Sequence, residues 1–339
     1  MRPQLKNLED QTIVITGASS GIGMVTARLA ARRGAQVVLA ARSADGLWDV
    51  ADAIQARGGE AACVVADVAD EREVRRIAEI ALGRFGGFDT WVNNAGVSVY
   101  GRIDEVPLED QRQVFETNYW GTVHGCRVAL EHLRHRGGAL INVGSVLSER
   151  AFPLQGAYSA SKHAIKGLTD ALRMELMHEG APVSVTLIKP AGIDTRYAQH
   201  AKNYLPMEPQ NPPPLYAPEV VAEAILHAAE HPVREVTVGG SGRLVEALDH
   251  WLPGTMDWIM ARLLPRMQQS RVPAGEDGPA GLYAAAGEAR ERSGDARLVF
   301  ERSAYTAATR HPAAMLGMAV IAAGALAFAG GLLRHRSGR

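Results

Sequence analysis

Cysteine is almost absent from this chain of 339 residues: only Cys63 and Cys126 occur, both in apolar surroundings and neither in a CxxC or Cys/His spacing. That excludes a disulfide framework and leaves the two thiols as small core residues. An excess of charge of either sign is missing too. The 36 basic side chains balance 37 acidic ones, so no global field gathers nucleic acid or an anionic substrate, and nucleic-acid binding is not expected. The opening MRPQLKNLEDQ lacks the apolar core of a secretory signal, which points to folding in a reducing cytosol. No internal repeat is evident. His124, His132 and His135 share a helical stretch without HExxH-type spacing, and no metal site is expected.

What the chain does have, from Thr12 to about Val238, is an alternation of short apolar runs with longer helical patterns. The runs TIVIT, AQVVLA, AACVVA, FDTWV, ALINV, VSVTLI and EVTV are apolar throughout, as suits strands covered on both faces. Helical patterns fill Ile22 to Arg33, Ala44 to Arg57, Glu71 to Phe85, Leu108 to Leu133, Tyr158 to Glu179 and Pro218 to Glu230. The expected fold is α/β: a three-layer, doubly wound (Rossmann) parallel sheet with a helical C-terminal extension.

The pattern divides the chain into residues 1–240 as the catalytic unit, 241–270 as an amphipathic cap or interfacial helix, 271–311 as a weakly ordered linker with at most one helix, and 312–334 as a hydrophobic helix. The proline-rich NPPPLYAP after Ile193 reads as a functional loop.

TGASSGIG, Thr16 to Gly23, joins the first strand to the first helix. Gly17 permits the tight turn, Gly21 lets backbone approach a pyrophosphate, and Gly23 allows helix and strand to pack closely, while the helix N-terminus offers free N–H groups. Ser19, Ser20 and Ile22 complete the turn. The second strand ends in Leu39, Ala40, Ala41 and Arg42, with no carboxylate to hold ribose hydroxyls. Arg42 instead matches a 2′-phosphate, which favours NADP(H) over NAD(H). Asp67 either touches the adenine ring or caps a helix.

Tyr158 and Lys162 lie four apart on one helical face. A neighbouring ammonium and a positive nicotinamide favour the phenolate, so tyrosine can exchange a proton with a substrate oxygen. With NNAG at Asn93 to Gly96, Asn118, Ser145, YSASK and KPAGIDT, the chain resembles the short-chain dehydrogenase/reductase family over roughly residues 10 to 240. The resemblance implies Tyr158 as general acid/base, and Lys162 as ribose ligand and tuner of Tyr158. It also implies Ser145 as donor to the substrate oxygen and Asn118 as holder of a relay water. Asn93 and Gly96 would line the adenosine side, with Asn93 also steadying the central strands. Val68, Asn94 and Ala95 would complete the cofactor wall, and Pro190, Ile193 and Thr195 would face the nicotinamide. Ser145 and Asn118 also have purely structural readings, as a strand-end cap and a packing amide. The Pro-Gly usual in that family is Pro190, Ala191, Gly192 here.

Tyr197, Tyr204, Leu205, Met207, Leu215 and Tyr216 suit a lipophilic carbonyl or alcohol substrate, or simply a loop packed on its own domain. The leading reading is an NADP(H)-dependent oxidoreductase; the other is a dinucleotide-binding scaffold or redox sensor without chemistry. Ala313 to Leu333 is 21 residues without a charge, close to the roughly 20 that span a bilayer. A membrane anchor with the catalytic unit on the cytoplasmic side is expected, and the small-residue spacing of Ala319, Ala323, Ala327 and Gly331 also fits a homodimer.

Overall fold

The computed structural model describes residues 3–275, 281–285, 289–294 and 298–309. The seven apolar runs become β1 (Thr12–Thr16), β2 (Gln36–Ala41), β3 (Ala61–Val65), β4 (Thr90–Asn93), β5 (Gly138–Val143), β6 (Val183–Pro190) and β7 (Glu235–Val238). They form one parallel sheet in the order β7-β6-β5-β4-β1-β2-β3. Successive side chains of a strand enter opposite layers. Ile13, Ile15, Val37, Leu39 and Ile141 join one apolar cluster, while Val14, Val38, Trp91 and Leu140 join the other. Helices cover both faces, which is why the strands read as unbroken apolar runs. Truncating a buried side chain such as Leu140 should cost about 2–5 kcal/mol.

The helices are α1 (Gly21–Arg32), α2 (Ala44–Gln55), α3 (Glu71–Phe85), α4 (Leu108–Phe115), α5 (Gly121–Arg136), α6 (Gly156–Glu179), the short α7 (Tyr197–His200), α8 (Pro218–Glu230), α9 (Gly240–Trp251), α10 (Pro253–Met267) and α11 (Ala304–Thr309). Their ends follow local chemistry. The Asp70 carboxylate accepts from the Arg72 N–H at 2.8 Å to open α3, and Gly86, at φ +77°, closes it in the left-handed region. Pro218 opens α8, where its missing N–H is not needed.

The single helix expected from Leu108 to Leu133 is instead α4, a π-helical turn at Glu116–Trp120, and α5. Hydrophobic periodicity does not reveal such a turn, because one wider loop of backbone shifts the register without altering composition. Its effect is to carry Asn118 into the interior.

Of the stretch expected as a weakly ordered linker, 271–311, several described segments pair or bond with the domain, although many of its residues are exposed. Gln269–Pro273 pairs antiparallel with Met207–Pro209, Val299–Phe300 pairs with Leu215–Tyr216, and α11 closes the described chain. Its contacts are largely backbone hydrogen bonds and ion pairs, which composition does not register. Among the described residues no helix is long and apolar enough to cross a membrane. The span Ala313 to Leu333, on which the anchor rests, lies outside the described residues.

Candidate active site

Strand order reverses between β1 and β4, and the crevice above their C-terminal ends is where open α/β sheets bind ligands. The glycine turn forms its floor. Gly17 and Gly21 have φ of +65° and +50°, and a Cβ on Gly23 would stand 2.2 Å from the Gly17 carbonyl oxygen. Only glycine permits this helix to start so close to the strand. Asn94 locks the turn, its Nδ2 donating to the Thr16 and Gly17 carbonyls at 2.9 and 3.2 Å. The Thr16 hydroxyl in turn accepts the Asn94 and Ala95 N–H groups.

Two connected cavities result. The first is a groove walled by Gly17, Ser19, Ser20, Gly21, Ile22, Arg42, Asp67, Val68, Asn94, Ala95, Gly96 and Thr195. The second, of about 390 Å³, contains Ser145, Tyr158, Lys162, Pro190 and Ile193. Ile22, Asn94, Gly96, Thr195 and Tyr197 border both. The glycine cradle and groove thus carry the donors and the close-approach turn that suit a dinucleotide, with Gly281 and Ala285 also lining the groove. One Asp67 oxygen caps the Ala69 N–H at 3.0 Å and the other lies 3.9 Å from Arg42, so its side chain serves the turn.

Asn93 does not line the adenosine side. Its amide turns into the layer under α5, donating to Asn142 at 2.9 Å and accepting from the Trp91 indole at 2.8 Å. Its other expected role, steadying the central strands, matches this geometry. The altered Pro190-Ala191-Gly192 is absorbed without a positive φ: Ala191 donates to the Val238 carbonyl, extending the β6–β7 pairing, and Gly192 accepts from Tyr216.

At the junction of the cavities, Tyr158 and Lys162 project from one face of α6 and are buried. The Lys162 ammonium lies 5.6 Å from the centre of the Tyr158 ring and donates to the Val143 carbonyl at 2.9 Å. Burial pulls Lys162 down to about 8. Burial likewise pushes the Tyr158 phenol up to about 12, although the Tyr197 and Ser145 hydroxyls bound to it pull the other way. Burial is thus the largest influence on the Tyr158 phenol, ahead of the two hydroxyls. Ser145 caps a short turn, its Oγ accepting from Leu147 at 3.1 Å. The Asn118 amide clamps Val97 from both sides, at 2.8 and 3.0 Å, and donates to Ser161 at 3.0 Å.

Tyr197 is the residue that pattern reading undervalued. Its ring stands 5.2 Å from that of Tyr158, edge to face, and its hydroxyl oxygen is hydrogen-bonded to the Ser98 hydroxyl at 2.8 Å, which leaves its own proton for Tyr158. Of the six loop residues expected at the substrate, it alone reaches the second cavity. Tyr204 bonds Asp110, while Leu205, Leu215 and Tyr216 are buried in packing. The apolar wall comes instead from α9 and α10, through Val245, Met256, Ile259, Met260, Leu263 and Met267. Two cations, the buried Lys189 and the partly buried Arg150, pin these helices. Lys189 meets Glu149, Glu235 and Glu246 at 2.9, 3.4 and 3.3 Å, and Arg150 bonds Asp249 at 2.7 Å and also Asp257. Among the described residues no cluster of metal-ligating side chains occurs.

The short chain dehydrogenase family model matches residues 11–204. An uncharacterized oxidoreductase of Bacillus subtilis, YxnA, is 45% identical over 96% of this chain and 92% of its own length, a match that includes most of the C-terminal extension. Among solved structures, a short chain dehydrogenase/reductase from Burkholderia phymatum in complex with NAD superposes with a TM-score of 0.68 at 27% identity, covering 74% of this chain and 96% of that one. An alcohol dehydrogenase from Thermococcus sibiricus complexed with 5-hydroxy-NADP gives 0.59 at 28% identity over 67% of this chain and 95% of that one. With its sheet order, its glycine turn and its Ser145, Tyr158 and Lys162 at one junction, this chain belongs to the short chain dehydrogenase family.

Proposed function

We propose that the protein is an NADP(H)-dependent oxidoreductase that interconverts a lipophilic ketone or aldehyde and its alcohol. The observation that carries this reading is the junction itself: a groove that offers the glycine turn, Arg42 and Asp67 to a dinucleotide opens, beside Tyr158, into an apolar cavity of about 390 Å³. A bound nicotinamide supplies or accepts the hydride. Tyr158 gives the proton to, or takes it from, the substrate oxygen, Ser145 holds that oxygen, and Lys162 orients the ribose and returns protons to Tyr158. Asn118 keeps the Val97 backbone and Ser161 in place around that relay and holds its water. Gly17, Ser19, Ser20, Gly21, Ile22 and Gly23 cradle the pyrophosphate, Asp67, Val68, Asn94, Ala95 and Gly96 wall the adenosine side, and Pro190, Ile193 and Thr195 meet the carboxamide.

Arg42 supports NADP(H) over NAD(H), because it stands at the end of β2 with no carboxylate in the ribose position. Leu244, Leu248, Trp251, Leu252, Trp258 and Leu263 leave an exposed apolar face on α9 and α10, and Leu263 belongs to the cavity wall as well. With Ala313 to Leu333, this face supports an enzyme held at a membrane that draws its substrate from the lipid.

Oxidation of NADPH with a panel of lipophilic carbonyls tests the chemistry. Turnover that Tyr158→Phe abolishes is expected; a wild-type protein that binds dinucleotide yet turns over none of the panel favours the scaffold reading. Carbonate washing of the full chain tests the anchor, and recovery entirely in the wash would remove it.

A further inference from the structure

Residues 281–285 and 289–294 lie along the dinucleotide groove and use its polar anchor points. Three backbone carbonyls, of Gly281, Leu282 and Ala284, accept from the Arg42 guanidinium, the latter two at 3.2 and 3.1 Å. The Gly21 N–H, at the start of α1, donates to the Arg290 carbonyl at 2.9 Å. The stretch is tied down on both banks. Leu282 is buried beside Val99 and Val114, Tyr283 donates to Asp110 at 2.6 Å, Glu291 pairs with Arg28 at 2.6 Å, and the Ser293 N–H donates to Asp194 at 3.2 Å.

We infer that this strap is a resident competitor for the cofactor, which must leave the groove before a dinucleotide can seat. The inference rests on the proposed function, which gives the Gly21 N–H to the pyrophosphate and Arg42 to the 2′-phosphate. One N–H serves one acceptor well, so strap carbonyl and phosphate oxygen exclude each other at Gly21. At Arg42 three neutral carbonyls stand where a dianion would bind. Phosphate wins that exchange, since a dianion adds ion pairing and a bidentate match to the guanidinium that neutral carbonyls lack. The enzyme nevertheless binds cofactor with an apparent affinity lowered by the fraction of molecules whose strap is open. Opening also releases Asp194 from Ser293, and Asp194 sits between Ile193 and Thr195, so the strap's position is coupled to the nicotinamide end of the site.

The full-length chain and its Tyr283→Phe and Glu291→Ala variants should be titrated with NADP⁺ and with NAD⁺ by calorimetry. Each variant removes one tie outside the groove floor, and each should tighten NADP⁺ about threefold, the worth of one exposed tie. Hydrogen exchange of 281–285 and 289–294 should speed up when NADP⁺ saturates the wild type. Unchanged unfolding midpoints without cofactor show that the variants fold. Slower exchange on NADP⁺ addition, with weaker binding by the variants, would make the strap a clasp and overturn the inference. Binding that neither variant changes overturns it alone. Equal affinity for NADP⁺ and NAD⁺ overturns the Arg42 reading alone, and no dinucleotide binding by any form overturns both.

Discussion

Lys162 reaches past the Tyr158 ring, 5.6 Å from its centre, to donate to the Val143 carbonyl, and both side chains are buried. On the proposed function, the pair is kept at the expense of stability. The lysine's folded-state pKa, about 8, lies below its ordinary 10.5. Between those values the unfolded chain binds the extra proton, so the lysine's unfavourable contribution fades as pH rises through that window and is full below about 8. Lys162→Met should then be more stable than wild type at pH 7, by roughly 1–3 kcal/mol at about 1.4 kcal/mol per pKa unit, while losing nearly all turnover. Urea unfolding and steady-state rates check both halves; a variant less stable than wild type at pH 7 contradicts the argument.

Tyr158→Phe should lower kcat at least about a thousandfold, within the range expected for a proton-transfer group, while its NADP⁺ affinity stays within about threefold. Calorimetry separates the two effects. Comparable loss of binding would mean that the phenol holds the cofactor rather than the substrate.

On the proposed function, Tyr197 is a positioning residue acting through Tyr158, whose phenol its hydroxyl holds below the value that burial alone imposes. Without that hydroxyl the phenolate is harder to form. For alcohol oxidation in Tyr197→Phe, the pH–rate curve should move toward higher pH by about half a unit to one unit, the scale of one neutral hydrogen bond. Carbonyl reduction, which needs the protonated phenol, should move much less. A uniform loss at every pH would instead indicate a packing role.

Arg42→Ala should weaken NADP⁺ about ten- to a hundredfold relative to NAD⁺, as loss of a charge-assisted phosphate contact does, while NAD⁺ itself tightens because the strap loses its three guanidinium bonds. The ratio of the two affinities is the measurement. An equal effect on both cofactors would assign Arg42 to the strap and not to a phosphate.

The three carboxylates around Lys189 hold it charged, with its pKa above the ordinary lysine value in spite of burial. Lys189→Met would leave Glu246, whose side chain is only 6% exposed, without its buried cation. Stability should fall by about 3–5 kcal/mol, as for one broken partner of a buried pair. Thermal unfolding reads the loss, and the Lys189→Met, Glu246→Gln double variant should recover part of it.

Much of this molecule was legible in the order of its residues. Seven apolar runs, the glycines at 17, 21 and 23, and the four-residue spacing of Tyr158 and Lys162 are local features, and local features set strands, turns and helix faces directly. The sheet covered on both faces follows from runs that are apolar throughout and alternate with helical patterns, so the fold class could be read without coordinates. What only tertiary structure decided depends on residues far apart in sequence. The π-helical turn that brings Asn118 to Val97, the edge contact of Tyr197 with Tyr158, and the methionine wall from α10 each join separate segments. The return of residues 281–285 to Arg42, some 240 positions away, rests on backbone carbonyls that every residue carries. No side-chain pattern encodes such a contact; only the packed chain brings those carbonyls to the guanidinium.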